Sequence, residues 1–354
     1  MLITKRYFRY IAFEYLKNFL ILLIGLSFAV VLIDFFQHAA KIGGGFNKKI
    51  LYIFYNWEYI VALIYPLIIL FALAWTIMNF ISKNVFVALY SFGYSKRELF
   101  YPFFLVATLI YFIFIALNCT SFAYAQDRAR AILKHKNESQ VLDDIFFKHN
   151  SSFVYIKRLD APKKKIFGVD IFKIKNFNVS KIISAKEATF KEPFWIAKGV
   201  TIKKRRFQNG KLVGFEVESK ERIKILKNYI PTVVKKIYEG KSLTIIDGFY
   251  AYKLLKEQNL DASKIKSVLY NRIIMPLFAL ALLGVIFFKT PPYQRFIRKD
   301  KLWSSMLGGS LLVWAFLFAM NRLGVNGVID PNYGQLLPVI LLGIYSFYIF
   351  KRAD

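Results

Sequence analysis

The sequence predicts a polytopic α-helical membrane protein with six transmembrane helices and an antiparallel β domain inserted between the third and the fourth. Of its 354 residues, 56% are hydrophobic, which is high for a soluble chain. About 20 apolar residues are needed to cross a bilayer, and six runs suit that length: 18–37, 57–80, 100–123, 268–288, 303–321 and 334–350. The chain therefore divides into an N-terminal membrane half (1–123), an insert (124–267) and a C-terminal membrane half (268–354).

The positive charge is concentrated in the insert. The whole chain has 51 Lys and Arg against 22 Asp and Glu, a net charge of +29. Residues 124–267 hold 32 Lys and Arg against 15 Asp and Glu, a net of +17. In so apolar a chain this charge favours anionic lipid head groups or an acidic partner. Nucleic acid is disfavoured, because the basic residues are spread through strand-like segments rather than clustered on one helix.

Signatures of catalysis and of metal binding are missing from the sequence. The one cysteine, Cys119, lies in an apolar run, which excludes a disulfide framework and a cysteine metal site. The chain has only three histidines, and the motifs HExxH, GxSxG and GxxxxGK[ST] do not occur. We therefore expect no enzyme activity, no metal and no cofactor. If ATP drives this protein, another chain must bind it.

Two segments of the N-terminal half bear on function. Residues 2–17 alternate aromatic residues and cations at helical spacing, which suits either an interfacial helix on the membrane surface or a plain basic flank of the first span. Residues 82–98 are a polar break between the second and third spans. Within that break, residues 84–92 are helix-like, and Gly93 is expected to end the helix in the left-handed conformation.

The insert begins as a helical continuation, residues 124–137, and then changes period. Alternation of apolar and polar residues predicts strands at 151–159, 165–174, 181–190, 194–207 and 211–219. Asn209-Gly210 between the last two is a strong hairpin signal. A helix is expected at 245–258, because Thr244 with Asp247 three residues later resembles a capping box. The insert should be an antiparallel β domain with one packed face and one wet face.

The short loops predict the orientation of the chain. With the N-terminus in the cytoplasm, the segments on that side hold 14 Lys and Arg, and the short outer loops hold four, Lys41, Lys48, Lys49 and Arg322. Cations in short loops mark the cytoplasmic side, whereas long domains cross largely regardless of charge. Both termini are therefore predicted to be cytoplasmic, and the β domain is predicted to lie outside.

Several stretches are similar to one known family. Residues 88–99, ALYSFGYSKREL, look like that family's cytoplasmic coupling helix. The segments 184–190 and 195–200 are similar to a strand pair of its β domain. Residues 270–276 through Pro291 and Arg295 match its fourth span and the basic loop after it. Together with the order of three spans, a β insert and three spans, they give a chain that resembles the LptF/LptG lipopolysaccharide-export permeases over nearly its whole length.

This resemblance implies a permease subunit of an ATP-driven ABC exporter in the bacterial inner membrane. Such a subunit extracts lipopolysaccharide and passes it to a periplasmic β-jellyroll bridge towards the outer membrane, and the insert is then a periplasmic, β-jellyroll-like domain. The implied partners are a homologous six-span permease (LptF-like), two cytoplasmic ATPase subunits (LptB-like), a membrane-anchored periplasmic β protein (LptC-like), a bridge protein (LptA-like) and lipopolysaccharide. Two other functions stay open: a permease of another ABC exporter class, moving lipoprotein or peptide, and a non-transporting envelope scaffold.

The resemblance also implies three sets of site residues. Lipid phosphates and sugars would be bound at the outer interface by Arg128 and Arg130 first, because a guanidinium binds phosphate through two hydrogen bonds, and by Lys41, Lys134, His38 and Asp34. The acyl chains would lie along Phe19, Leu22, Leu26, Leu311, Trp314 and Phe318. The ATPase would contact Val85, Phe86, Ala88, Leu89, Tyr90, Ser91, Gly93, Lys96 and Arg97. The structural alternatives are snorkelling of cations at span ends and ordinary apolar packing.

Three positions refine the resemblance. Asp34, at the end of the first span, looks like the LptG side of the family rather than the LptF side. Val85 stands where the family's coupling helix usually carries an acidic residue, so contact with the ATPase would rest on packing and on cations. Val31 stands where LptG-type proteins often carry a lysine within the first span, which argues against a buried cation there.

Overall fold

The computed structural model of the chain describes residues 5–43, 45–133, 141–149, 152–175, 178–208, 211–227, 229–231, 242–257, 261–292 and 298–352. The chain divides into two compact units, residues 1–135 with 263–354, and residues 136–262. We call the first the membrane unit and the second the β unit. The division falls inside the predicted limits of the insert, because the helices that flank the insert belong to the membrane unit.

The membrane unit is helical. The helices of the chain are α1 (Arg6–His38), α2 (Phe46–Ser82), α3 (Val85–Ser91), α4 (Lys96–Asn118), α5 (Ala125–Leu133), α6 (Ile245–Glu257), α7 (Ser263–Ile273), α8 (Leu277–Lys289), α9 (Lys299–Val325) and α10 (Leu337–Arg352). All except α6 lie in the membrane unit. A 3-10 turn, Ser121–Tyr124, leads into α5, and a π-helical turn, Asn332–Leu336, leads into α10.

Within the described residues, five helices are long and apolar enough to cross a membrane. They are α1, α2, α4, α9 and the last helix counted from Asn332 to Arg352. A sixth span results if α7 and α8, which meet at 42°, are counted as one bent span. The predicted fourth span is thus broken at 274–276, where Pro276 precedes α8. Proline has no N–H to continue the hydrogen bonding of α7, which accounts for a break at this place.

Residues 6–38 form one continuous helix rather than an interfacial helix followed by a span. At about 1.5 Å per residue, α1 is about 50 Å long and exceeds the roughly 30 Å of bilayer hydrocarbon. The aromatic side chains of its first turns, Tyr7, Phe8 and Tyr15, are buried in the core of the membrane unit. The predicted surface helix is therefore the start of α1, held by packing against the other helices.

Helix α2 is the centre of the membrane unit. It contacts α1, α3, α4, α5, α8 and α9. Pro66 lies inside it and is buried. Four sets of hydrogen bonds tie α1 to α2 along its length, and we call this set of contacts the α1–α2 seam. It consists of Tyr15 with Ile69, Asn18 with Thr76, Ser27 with Trp57, and Asp34 with Tyr52 and Asn56.

The β unit contains a six-stranded antiparallel sheet. Its strands are β1 (Val141–His149), β2 (Ser152–Asp160), β3 (Lys165–Lys175), β4 (Asn178–Lys191), β5 (Phe194–Gln208) and β6 (Lys211–Ile225). Their order in the sheet is the order in the chain. The five predicted strands are confirmed as β2 to β6. The described strands form an up-and-down meander without Greek-key crossovers, so the jelly-roll connectivity is not confirmed.

Strand β1 was not predicted from the sequence. Its apolar alternation is interrupted by Asp143 and Asp144, and Asp144 adopts a left-handed backbone conformation with φ of 55°. Pairing with β2 makes it a strand nonetheless, since Ile145 lies opposite Ile156 and Phe147 opposite Val154. This strand is defined by its neighbour rather than by its own pattern.

Two local predictions for the insert are confirmed. Gln208 and Lys211 are register partners in a hairpin of β5 and β6, as Asn209-Gly210 predicts, although the two turn residues lie outside the described residues. The predicted helix at 245–258 is α6, and the backbone N–H of Asp247 donates to Thr244 Oγ1 at 3.0 Å. The sequence signals for turns and caps therefore hold at both places.

One face of the sheet is the core of the β unit. Trp195 is 2% exposed, packs against Phe190 with the ring centres 5.3 Å apart and the planes tilted by 57°, and donates its Nε1 hydrogen to the carbonyl oxygen of Tyr229 at 2.7 Å. Leu254 of α6 packs against the same cluster. The apolar face is thus filled by the unit's own side chains, in agreement with the packed face that the alternation predicts.

Candidate functional site

A cluster of polar side chains lies at the predicted outer end of α1 and α2. Asp34 accepts hydrogen bonds from the hydroxyl of Tyr52 and, at 2.7 Å, from Nδ2 of Asn56. His38 Nδ1 lies 3.4 Å from the other carboxylate oxygen of Asp34. Tyr52 and Asn56 are both buried. The carboxylate therefore joins the two helices, and of the predicted phosphate-site residues the structure brings Asp34 and His38 together.

Arg128 approaches the same end of α2 from helix α5. Its guanidinium carbon lies 5.3 Å from the ring centre of Tyr55, an arrangement in which cation and ring attract. Oε2 of Glu58 is buried and has no hydrogen-bond partner within the described residues. Ala129 packs against Tyr52 and Ile42, which fixes α5 on the helical membrane unit. A positive group and a carboxylate thus lie beside each other at the predicted outer interface.

Arg130 points away from Arg128. Residues two apart on a helix lie on nearly opposite sides, and here they flank the buried Ala129, with Arg130 exposed. Lys41 is also exposed, beyond the end of α1. Lys134 lies outside the described residues. The five of these residues that the structure describes therefore do not converge on one point: Asp34 and His38 lie together, and Arg128 lies over the ring of Tyr55 of α2.

The predicted acyl-chain residues lie on two helices that bury little of their apolar surface. Only 22% of the most apolar part of α1 and 17% of that of α9 are buried, against 72% for α2. Leu26 and Leu311 are exposed, Leu22 is half-buried, and Trp314 stacks on Phe318 at 5.5 Å. Phe19 is an exception, because it is buried in the core. Apart from Phe19, these residues lie on or beside apolar surface that is available to lipid or to another chain.

Helix α3 carries the predicted ATPase contact, and it is anchored by one aromatic side chain. Phe86 is 4% exposed and makes edge-on contacts with Phe80 of α2 and Phe287 of α8. Val85, Leu89 and Tyr90 are partly buried against the same core. Gly93 follows the helix with φ of +83°, the left-handed conformation that was predicted for it.

The opposite side of α3 faces outward. Phe92 is 77% exposed, and Val87, Ala88 and Ser91 are also exposed. Neither Val87 nor Phe92 was among the residues predicted to contact the ATPase. The sequence did contain a signal for Phe92. It directly precedes Gly93, which is predicted to end the helix, and a side chain at the end of a helix readily projects from the core.

Lys96 and Arg97 have partners inside the membrane unit. Lys96 Nζ donates to the carbonyl oxygens of Phe288 at 2.7 Å and Thr290 at 3.1 Å, at the end of α8. Arg97 donates to the carbonyl oxygens of Phe350 at 3.3 Å and Lys351 at 2.8 Å, at the end of α10. Carbonyls at a helix C-terminus lack intrahelical donors and attract cations. Both side chains thus cap other helices within the chain.

The break between α7 and α8 is held by a further cation. Arg272 donates to Oδ1 of Asn118 and, at 3.2 Å, to the carbonyl oxygen of Ala123. Tyr111 donates to the carbonyl oxygen of Ile273 at 3.0 Å. These contacts fasten the bent span to α4 and to the turn that follows α4. Arg272 therefore has a structural task at the end of its span.

Comparison with known proteins decides the family. The family described as Lipopolysaccharide export system permease LptF/LptG matches residues 9–352. The chain belongs to the LptF/LptG family. The match covers both membrane halves and the β insert, so the family resemblance seen in the sequence is confirmed. No match was found among the curated proteins.

Membership implies a lipopolysaccharide export permease, a multi-pass protein of the inner membrane. The family match covers LptF and LptG together, so it does not distinguish which of the two this chain resembles more. Val31, at the position where a lysine is often found in LptG, is fully buried within the membrane unit. In this LptF/LptG chain, that position is part of the core.

Asp34 offers a direct test of the polar cluster. Replacement Asp34→Ala leaves the buried hydroxyl of Tyr52 and amide of Asn56 without their acceptor, at a cost of about 1–3 kcal/mol. Asp34→Asn keeps an acceptor oxygen and should lose less. Thermal unfolding of the purified protein in detergent measures both. Gln37→Ala, an exposed site on the same helix, is the control, and equal midpoints for Asp34→Ala and Gln37→Ala would contradict the assignment.

Proposed function

We propose that this chain is a permease subunit of an ATP-driven ABC exporter that extracts lipopolysaccharide from the inner membrane and passes it to a periplasmic β-jellyroll bridge. The observation that carries the proposal is α3, a short helix anchored by Phe86 that leaves an apolar outer side. The sequence has no phosphate-binding loop for ATP. The proposal therefore places ATP binding and hydrolysis in a partner chain docked on α3, and assigns this chain no enzymatic activity and no cofactor of its own.

The partners follow from the same proposal. Two ATPase subunits (LptB-like) would serve one copy of this chain and one homologous six-span subunit (LptF-like, if this chain is the LptG-like member). The exposed apolar faces of α1 and α9 would bound the cavity between the two permeases. Open strand edges accept strands from other chains, so the edge strands β1 and β6 would join a membrane-anchored β protein (LptC-like) or a bridge protein (LptA-like). Both termini are proposed to be cytoplasmic and the β unit periplasmic.

Substrate contact is proposed at two places in the membrane unit. Arg128, beside Glu58 and the Asp34 cluster, would bind a lipid phosphate at the outer interface, with Arg130, Lys41, Lys134 and His38 around it. Leu22, Leu26, Leu311, Trp314 and Phe318 would lie against acyl chains. The small buried share of α1 and α9 supports this assignment, because surface that the chain does not cover itself is available to lipid.

Co-purification and depletion test the function together. The protein purified in mild detergent is expected to carry ATPase subunits, a second six-span chain and lipopolysaccharide, which mass spectrometry identifies. Depleting the protein in cells should stop delivery of lipopolysaccharide to the cell surface. Undiminished delivery would reject the proposal. Co-purified lipoprotein instead would favour another exporter class, and a preparation that stimulates no ATP hydrolysis would favour a scaffold.

Phe92 and Phe86 separate docking from folding. Phe92→Ala removes an exposed ring, so ATP hydrolysis by the co-purified complex should fall about tenfold, the effect of losing roughly 1.4 kcal/mol of docking energy, with little change in stability. Phe86→Ala removes a buried ring and should destabilise the chain by about 3–5 kcal/mol. Phe46→Ala, equally exposed at 76% at the other end of α2, is the control. Hydrolysis that responds alike to Phe46→Ala and Phe92→Ala would argue against docking at α3.

The arginines of α5 are tested by photo-crosslinking of lipid. A crosslinking residue in place of Phe36, which is 74% exposed at the outer end of α1, should label lipopolysaccharide. Arg128→Glu with Arg130→Glu should weaken this labelling several-fold, because carboxylates repel phosphate, while the subunits still assemble. Lys48→Glu with Lys49→Glu makes the same change of charge in the neighbouring loop. Labelling that survives the arginine changes, or that falls equally in the lysine control, would reject this site.

A further inference from the structure

A row of lysines crosses three neighbouring strands of the β unit. Lys173 of β3 lies directly opposite Lys181 of β4, and Lys181 lies directly opposite Lys204 of β5. Side chains directly opposite each other on neighbouring strands are about 4.5–5.5 Å apart at Cβ, and like charges so placed destabilise a sheet. We call these three residues the lysine row.

The lysine row continues the apolar face of the sheet. Ile171, Ile183 and Ile202 are also register partners and stand two residues away along the same three strands. Side chains two residues apart on a strand share a face. All three isoleucines are buried. The row therefore lies where the packed face of the sheet ends and solvent begins.

Little negative charge compensates the row. Glu218 is 3.4 Å from Lys204 and 3.0 Å from Lys220, and hydrogen bonds from Lys220 and then Lys204 hold the pKa of its carboxyl below the usual range. Within the described residues, no carboxylate lies within 4 Å of Lys173 or Lys181. Glu216 lies directly opposite Lys204 on β6, so two carboxylates face four ammonium groups, and both of them lie on the β6 side of the row.

The charge of the row also weakens its central member. Partial burial lowers the pKa of Lys181, and the neighbouring Lys173 and Lys204 lower it further. A bound anion would offset this repulsion. Other cross-strand rows of the sheet include a carboxylate: Arg158 is 2.8 Å from Asp143, and Lys198 lies opposite Glu187. In the lysine row Glu216 stands opposite Lys204 only, whereas Lys181 has a lysine opposite it on both sides.

The position of the row indicates where an anion would be met. Val141, the first residue of β1, and Ile225, the last residue of β6, lie at the same end of the sheet. Val141 pairs with Asp160, which pairs with Lys165, and Ile225 pairs with Trp195 near the start of β5. The lysine row lies towards the opposite end, near the last residues of β1, β3 and β5. The anion would therefore bind at the end of the sheet opposite to the first residue of β1 and the last residue of β6.

We propose that Lys173, Lys181 and Lys204 bind the phosphate groups of the exported lipid at this end of the sheet. Ammonium groups at this spacing can hold one phosphate between two of them, or two phosphates across the three. The choice of a lipid phosphate over a free one rests on the proposed function, which brings a phosphorylated amphiphile to this domain. The shared chemistry is phosphate on lysine, and the test separates the two sources.

The test uses the full chain with its co-purified subunits and a photo-crosslinking residue in place of Glu216, the register partner of Lys204. The probe is lipid A carrying two phosphates, in detergent micelles, and the same lipid after phosphatase treatment. Lys173→Gln with Lys181→Gln and Lys204→Gln should lower labelling by the phosphorylated probe about tenfold. The matched control changes three exposed lysines elsewhere in the sheet, Lys157→Gln with Lys165→Gln and Lys191→Gln, and should label like the unchanged protein.

Each remaining outcome decides a different point. Dephosphorylated probe should label weakly and without regard to the row, and equal loss for both probes would overturn phosphate binding. Inorganic pyrophosphate that competes as strongly as the lipid would assign the row to a free anion and overturn the lipid assignment. Circular dichroism should show the triple variant folded, since removing like charges relieves repulsion. A second crosslinker, at Leu26, separates the lysine row from the proposed function. If lipid labels Leu26 but labelling at position 216 does not depend on the row, only the row is rejected. If lipid labels neither position, the result counts against the proposed function.

Discussion

The hydrogen-bonded seam between α1 and α2 is the constraint on which the membrane unit depends. A polar side chain without a partner is costly in hydrocarbon, so each pair fixes how the two helices are turned towards each other. Tyr15 donates to the carbonyl oxygen of Ile69 at 3.0 Å, and Asn18 donates to Thr76 at 2.9 Å. Single contacts of this kind contribute about 0.6–2 kcal/mol in membranes. Spread over four places along α1, they define one rotation of that helix, and the apolar remainder of its surface must then face lipid, substrate or another subunit.

Basic side chains lie at both ends of the membrane unit, but their partners differ. At the predicted outer end, the carboxylate of Asp34 closes the seam, and Arg128 lies nearby on the ring of Tyr55. A cation whose partner is a ring, rather than a carboxylate within bonding distance, keeps donors free for a phosphate. At the other end, Lys96 and Arg97 donate hydrogen bonds to carbonyl oxygens at the ends of helices of the same chain. Arg128 thus keeps N–H donors for a ligand, whereas Lys96 and Arg97 use theirs within the chain.

The sequence predicts the parts of this structure that local patterns encode. Alternation located five strands, and Gly93 located the end of α3, because both signals lie within a few residues of the feature. Strand β1 could not be found in this way, since Asp143 and Asp144 interrupt its pattern and only the neighbouring strand defines it. The partners of Lys96 and Arg97 lie more than 190 residues along the chain, and no short motif reports such a distance. Arg128 and Arg130 are close in the sequence but lie on different sides of α5, because residues two apart on a helix diverge.

The contacts of Lys96 and Arg97 with the ends of α8 and α10 determine how a displacement of α3 would be transmitted through the chain. Only four residues, Phe92 to Ser95, separate α3 from α4, and Ser95 forms a reciprocal capping box with Glu98 that fixes the first turn of α4. The ring of Tyr94 packs against that of Tyr7 of α1, with the ring centres 4.1 Å apart and the planes tilted by 40°. The next two residues of α4 hold the ends of α8 and α10. A displacement of α3 therefore reaches α1, α4, α8 and α10 through contacts with defined geometry, so a docked ATPase would act on both membrane halves at once rather than on the helices adjacent to α3 alone.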